Sequence, residues 1–212
     1  MEQDNLKNVL KRIYKKIKQL FKDENTGHDI GHLKRVLNNA LIIQSKEGGD
    51  LYLIAVSALV HDVHRLMAHF AHRFIFPNES LEEVEKILRE CNVDENKIAQ
   101  ILLAVENHED KTHKDIPLEW QVLQDADALD ALGSIGLRLS LKYCKVNKIP
   151  VMDNAFDLNC KEYIPDVNPI STCHYVYRTM IPNGENMHTA TGQKMANKKL
   201  KKLKDFIKKN AK

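Results

Sequence analysis

The chain is expected to be all-α, on three observations. Apolar residues recur at three- and four-residue spacing in several segments, residues that favour helix ends bound those stripes, and the most apolar run is rich in alanine. With 43% hydrophobic and 29% charged residues, neither a disordered chain nor a membrane protein is favoured. At 212 residues one domain with a full core is comfortable and two are cramped, so a compact single domain over 1–212 is expected.

The first stripe, Leu6, Val9, Leu10, Ile13, Ile17, Leu20 and Phe21, predicts an amphipathic helix that stops before Asn25-Thr26-Gly27. The second runs from Ile30 through Leu33, Val36, Leu37, Ala40, Leu41 and Ile43 to Gly48-Gly49, with His32 in its first turn. Leu51 to Val60 is almost wholly apolar, as a strand or a buried helix can be, and Ala55 and Ala58 favour helix. Ser80–Glu90 and Asp94–Asn107 read as a helical pair, with Asp94 as N-cap and His108 at the far end. Pro117 opens a helix running through Trp120 and Leu123 toward Asp127 and Asp130, and Gly133 and Gly136 permit close packing after it. Asn147 to Pro169 holds three prolines with weak periodicity and is expected to be an irregular surface excursion. A short helix near His174 to Met180, a break at Pro182-Asn183-Gly184 and a lysine-rich helix over about 188–210 complete the reading.

The net charge of +3 is uneven: Met1–Lys22 carries about +5 and Lys194–Lys212 about +8, leaving roughly −10 elsewhere. An acidic middle suits a cation site. The basic end could meet nucleic acid, but Met195, Leu200, Leu203, Phe206 and Ile207 give it a face to bury, so nucleic acid is not expected as a partner. Met1–Lys22 has no continuous apolar run, and Cys91, Cys144, Cys160 and Cys173 form no close pair. A cytoplasmic protein with reduced thiols and no membrane contact is expected.

The chemistry concentrates where the apolar run ends in Val60-His61-Asp62, because burying either ionisable group unpaired costs several kcal/mol. A helix-capping pair is the plain explanation. A divalent cation is the other, since imidazole and carboxylate together suit a borderline metal. His28 and His32, four apart, and Asp127 and Asp130, three apart, offer further ligands from separate helices.

The ordered set His32, His61-Asp62 and Asp127 resembles the signature of the HD-domain metal-dependent phosphohydrolases, and more closely their small single-domain YpgQ- and YedJ-like subgroup. The similarity includes Gly27-His28-Asp29 with His32 and Arg35, Ala58 to Asp62, and Gln124 to Ala131 with Gly133; His174-Tyr175 and Thr191-Gly192 match more weakly. It spans about residues 25–197. The resemblance implies an HD-domain fold and a divalent ion (Mn, Fe, Co, Ni, Mg or Zn) held by His32, His61, Asp62 and Asp127. Catalytic candidates are His28, Arg35, His64, Arg65, His108 and Asp130, with Arg35, Arg65, His174 and Tyr175 also placed for substrate. The chain departs from the pattern after the doublet: Val63-His64-Arg65 lacks the acidic residue often found there, and His64 is the stand-in. The expected activity is cleavage of (deoxy)nucleoside triphosphates to monophosphate and pyrophosphate. The alternatives are a nucleoside monophosphate phosphatase and a non-catalytic metal- or nucleotide-binding protein, and a homo-oligomer is compatible with any of them.

Overall fold

The computed structural model describes residues 2–20, 29–113, 115–153 and 169–210, which are helical with no strand. His28, the Asn25–Gly27 stop and most of the 147–169 excursion lie outside those residues. Two compact units divide the chain, 1–127 and 128–212.

The first unit contains α1 (Glu2–Leu20), α2 (Ile30–Glu47), α3 (Leu51–Val60), α4 (Val63–Ala71), a 3-10 turn (Pro77–Ser80), α5 (Leu81–Glu90), α6 (Glu95–Asn107) and most of α7 (Leu118–Asp130). At its centre is α3, buried from Leu53 to Val60. A helix apolar on every side must be packed on every side, and α1, α2 and α6 do this. Val9, Ile13 and Ile17 of α1, Leu33 of α2, Ile87 and Leu88 of α5 and Ile101 and Val105 of α6 share one core with Val56, Leu59 and Val60. Leu51–Ala71 is long and apolar enough to cross a membrane by length and composition, but 67% of that window is buried inside the protein, as befits a core element.

The start of α3 is held as firmly as its sides. Asp50 accepts hydrogen bonds from the backbone N–H groups of Tyr52 (2.8 Å) and Leu53 (3.1 Å), and its other oxygen pairs with Lys97 of α6. Gly49 precedes it at φ 87°, a left-handed conformation that favours glycine.

In the second unit α8 (Gly133–Val146) packs on α11 (Ala190–Asn210), with α9 (Thr172–Tyr175), a π-helical turn (Val176–Met180) and α10 (Ile181–Glu185) between them in sequence. The expected break at Pro182-Asn183-Gly184 is displaced. Helix α10 follows the π-helical turn without a break, so Pro182 lies inside a continuous helical stretch, and the chain leaves the helix after Glu185. Helices α4 and α8 went unread in the sequence, the first because it follows α3 with only the His61-Asp62 turn between them. Leu200, Leu203 and Ile207 of α11 are buried, so its lysines flank a packed apolar face.

Burial pushes the Asp50 carboxyl up, but Lys97 and the two backbone donors outweigh this and hold it below its ordinary value. A depressed carboxylate contributes stability above its unfolded pKa near 4 and loses it as pH falls through the folded value. Asp50→Ala is therefore expected to cost about 1–2 kcal/mol at pH 7. Urea unfolding from pH 7 to pH 3 should show the gap to the native chain closing toward the acid end.

Candidate metal centre

Three helix ends meet in the first unit, and their backbone needs explain how the side chains point. The last carbonyls of a helix lack intrahelical donors. At the end of α3 the ring Nδ1 of His61 contacts the Ala58 carbonyl at 3.1 Å, and one turn on His64 Nδ1 contacts the His61 carbonyl at 3.2 Å. At the end of α6, His108 Nδ1 lies 2.6 Å from the Val105 carbonyl. A carbonyl only accepts, so Nδ1 carries the ring proton in all three and, in the neutral ring, Nε2 carries the lone pair. All three imidazoles are buried, and their rings stand 5.1 Å (His61–His108) and 5.3 Å (His64–His108) apart.

His32 enters from the first turn of α2, whose N-cap Asp29 accepts from the His32 backbone N–H at 2.9 Å. Its Nε2 lies 3.3 Å from His61 Nε2, 3.0 Å from Asp62 Oδ2 and 3.4 Å from Asp127 Oδ1. His61 Nε2 is 3.6 Å from Asp62 Oδ2 and 3.7 Å from Asp127 Oδ1. Ligand atoms held about 2.1 Å from one ion stand roughly 3.0–3.4 Å apart in octahedral or tetrahedral geometry, so these spacings suit a shared cation. The electrostatics agree in sign. Burial pushes Asp127 up, yet His32 and His61 hold it well below the usual carboxylate range; burial pushes His61 down, yet Asp62 and Asp127 raise it.

Asp127 reaches this point because α7 is tied on both sides. Asn39 of α2 donates to the Ala126 carbonyl at 3.1 Å, and Gln124 donates to the Asn107 and Asp110 carbonyls at 2.9 and 2.8 Å, clamping α7 to the end of α6. Gln124 is 1% exposed.

The remaining candidates are distributed as follows. Arg65 is in α4 with its guanidinium paired to Glu109 and 5.6 Å from the Phe74 ring centre. Arg35 lies one turn beyond His32, its Nη1 about where a β-carbon on Gly31 would touch it, at 3.1 Å. Asp130 is buried, three residues past Asp127 on α7. His174 and Tyr175 belong to α9 in the second unit. Burial of His108, with His61 beside it, lowers its pKa to about 4, so at neutral pH it is an acceptor and not an acid.

Glu109 was missed in the sequence. Its Oε1 lies 3.4 Å from His64 Nε2 and pairs with Arg65, which puts a carboxylate from another helix end beside the segment that lacks an acidic residue of its own. Burial pushes this carboxyl up, but a hydrogen bond from His64 Nε2, which the ring can donate only as an imidazolium, and the Arg65 guanidinium hold it at about 2. The signal was present: His108-Glu109 repeats the His-acid doublet of His61-Asp62, also at the end of an apolar stripe.

A profile of the HD domain matches residues 29–132. YpgQ of Bacillus subtilis (strain 168) is 28% identical over 134 residues, which is 57% of this chain and 59% of that protein's length. Among solved structures, Bacillus subtilis YpgQ in complex with ADP aligns with a TM-score of 0.76 at 20% identity, covering 97% of this chain and 94% of that one. An HD-superfamily hydrolase from Bacillus thuringiensis aligns at 0.70 and 23% identity, covering 99% and 96%. These likenesses carry the fold. An HD domain implies a divalent metal, and the convergent imidazoles and carboxylates form a donor set that fits one.

A ligand that binds only the folded state stabilises it by about 2.7 kcal/mol at a hundred times its Kd. Mn²⁺ or Co²⁺ is accordingly expected to raise the melting temperature of the native protein, and His61→Ala to abolish the rise. Gln124→Ala, which strands two carbonyls, should cost about 1–3 kcal/mol and weaken the same metal response. Differential scanning calorimetry with and without metal reads both.

Proposed function

The chain is an HD-domain protein, and from that premise we propose that it is a divalent-metal-dependent phosphohydrolase acting on nucleotides, with (deoxy)nucleoside triphosphates split to monophosphate and pyrophosphate. The observation that carries this reading is the meeting of His32, His61, Asp62 and Asp127 at 3.0–3.7 Å, from α2, the α3 end and α7. The nucleotide part rests on the resemblance to the YpgQ-like subgroup and on the ADP bound by YpgQ itself.

In this reading His32, His61, Asp62 and Asp127 hold the ion. A divalent metal supplies acidification of water toward neutral pKa and polarisation of a phosphoryl oxygen. The protein's own groups do the positioning. Arg35 and Arg65 neutralise phosphate charge that grows as the ester bond breaks, and a guanidinium can hold two phosphate oxygens at once. Glu109 keeps Arg65 directed along one side of α4 until substrate competes for it. His64 and His108, with Nδ1–H committed to backbone carbonyls, present acceptor atoms and do not protonate a leaving oxygen in their neutral form. The Arg65–Glu109 pair is partly exposed, so its exchange for phosphate costs little.

The test is a panel of nucleoside tri-, di- and monophosphates with Mn²⁺ or Co²⁺, with products identified by chromatography and phosphorus NMR. Pyrophosphate and monophosphate from triphosphates are expected, and Asp127→Asn should lower kcat/KM by about 100-fold or more. Orthophosphate from monophosphates alone would replace the substrate assignment. Absence of any chelator-sensitive phosphate release would end the enzymatic reading.

A further inference from the structure

Around the end of α4 the chain places three of its six phenylalanines within seven residues, and all three are exposed: Phe70 at 61%, Phe74 at 56% and Phe76 at 60%. For Phe74 and Phe76 the exposure is built in. Phe76 is extended, at φ −78° and ψ 156°, and along extended backbone successive side chains point to opposite sides. Ile75 and Pro77 are buried, so the same alternation turns Phe74 and Phe76 outward. Glu79 locks the segment by accepting from the Phe76 backbone N–H at 2.8 Å and from Arg73 at 2.7 Å, and Arg73 also donates to the Phe74 carbonyl at 2.9 Å. The two rings meet edge to face with centres 4.8 Å apart, so each holds the other while flat apolar surface stays in water. Apolar surface gathered outside the core on a fixed backbone marks a place where something binds.

What lies beside the rings identifies the ligand. The Arg65 guanidinium stands 5.6 Å from the Phe74 ring centre and pairs with Glu109, which adjoins His108, and His108 Nε2 is 4.0 Å from Asp62. A short run of contacts thus joins the aromatic pair to the metal centre. Arg65 Nε is buried with no acceptor in the protein, so the guanidinium against the rings keeps a donor that only a further acceptor can satisfy. A ligand suited to this place carries phosphate at one end and a flat π-surface at the other, and a nucleotide has both. We propose that Phe74 and Phe76 are the stacking platform for the nucleobase of the nucleotide whose phosphates Arg65 engages. The assignment rests on the nucleotide reading above.

Two other occupants fit less well. Arg65 and Arg73 are both paired with carboxylates, so the patch has no surplus of fixed positive charge for an anionic membrane. Three phenylalanines, at about 150–250 Å² each even if wholly covered, fall short of the roughly 800 Å² per partner of a stable interface with a second copy. Stacking reads the area of a base and not its edge, because every base has a π-face. The platform therefore takes purines and pyrimidines alike, purines more tightly for their larger ring system, and it separates nucleotides from inorganic polyphosphate.

Isothermal titration calorimetry of the native chain at saturating Mn²⁺, with α,β-methylene-ATP, α,β-methylene-CTP and inorganic tripolyphosphate as probes, reads the platform without turnover. The ATP analogue is expected to bind about tenfold or more tightly than tripolyphosphate, with the CTP analogue between them. The double variant Phe74→Ala, Phe76→Ala, on exposed side chains, should bring both analogues to the level of tripolyphosphate and leave tripolyphosphate unchanged, whereas Phe76→Trp should keep the preference. Equal affinity of the native chain for all three probes, or a preference that survives the double variant, would overturn the platform and leave phosphate recognition standing. An equal loss for all three probes in the double variant would overturn it as well, by showing a structural role. So would unchanged nucleotide affinity with lost binding to vesicles of phosphatidylglycerol and phosphatidylcholine, or with lost self-association in sedimentation, which would give the patch to lipid or to a second copy. No binding of any probe would remove the nucleotide reading together with the platform.

Discussion

The bond from a histidine ring N–H to the backbone carbonyl three residues earlier is the interaction on which this site depends. It occurs at His61, His64 and His108, each where a helix ends or restarts. One contact serves two purposes there. It gives a carbonyl at the helix end a side-chain donor, and it fixes the tautomer so that in the neutral ring Nε2 is the acceptor. Helix termination and ligand orientation are the same event.

The apolar character of α3 is what makes that event consequential. A helix buried on all sides delivers its last residues into the interior, where an imidazole and a carboxylate cannot rely on water. Either they are neutralised in pairs or they are gathered around positive charge. The observed spacings of 3.0–3.7 Å among four acceptor-type groups favour gathering. Backbone-directed amides then hold the partners in place: Asn39 and Gln124 fasten α7 to α2 and to the end of α6 without contributing charge.

Glu109 shows how a local pattern can be completed from a distance. The segment Val63-His64-Arg65 after His61-Asp62 carries no acidic residue, and the carboxylate beside Arg65 arrives from the end of α6, forty-four residues on. The charge balance of the place is preserved although its sequence order is not. A reading confined to the neighbourhood of the doublet cannot see this, because ion pairing is indifferent to chain order.

From the sequence alone came the helices with long regular stripes, the cap that starts α6, and the residue types able to hold a cation, since each of these is set by neighbours within one or two turns. Helix α4 and the continuation of α10 through Pro182 escaped it, because short elements draw their stability from packing and not from their own periodicity, and α8 escaped because it opens on Gly133 and Gly136, which read as packing positions and not as a helix start. The tertiary structure decided which donors meet. Asp127 approaches His32 across ninety-five positions only because α2, α3 and α6 converge on α7, and Glu109 enters the site by the same convergence. Periodicity is written in adjacent residues, whereas a shared centre exists only once distant helices have packed.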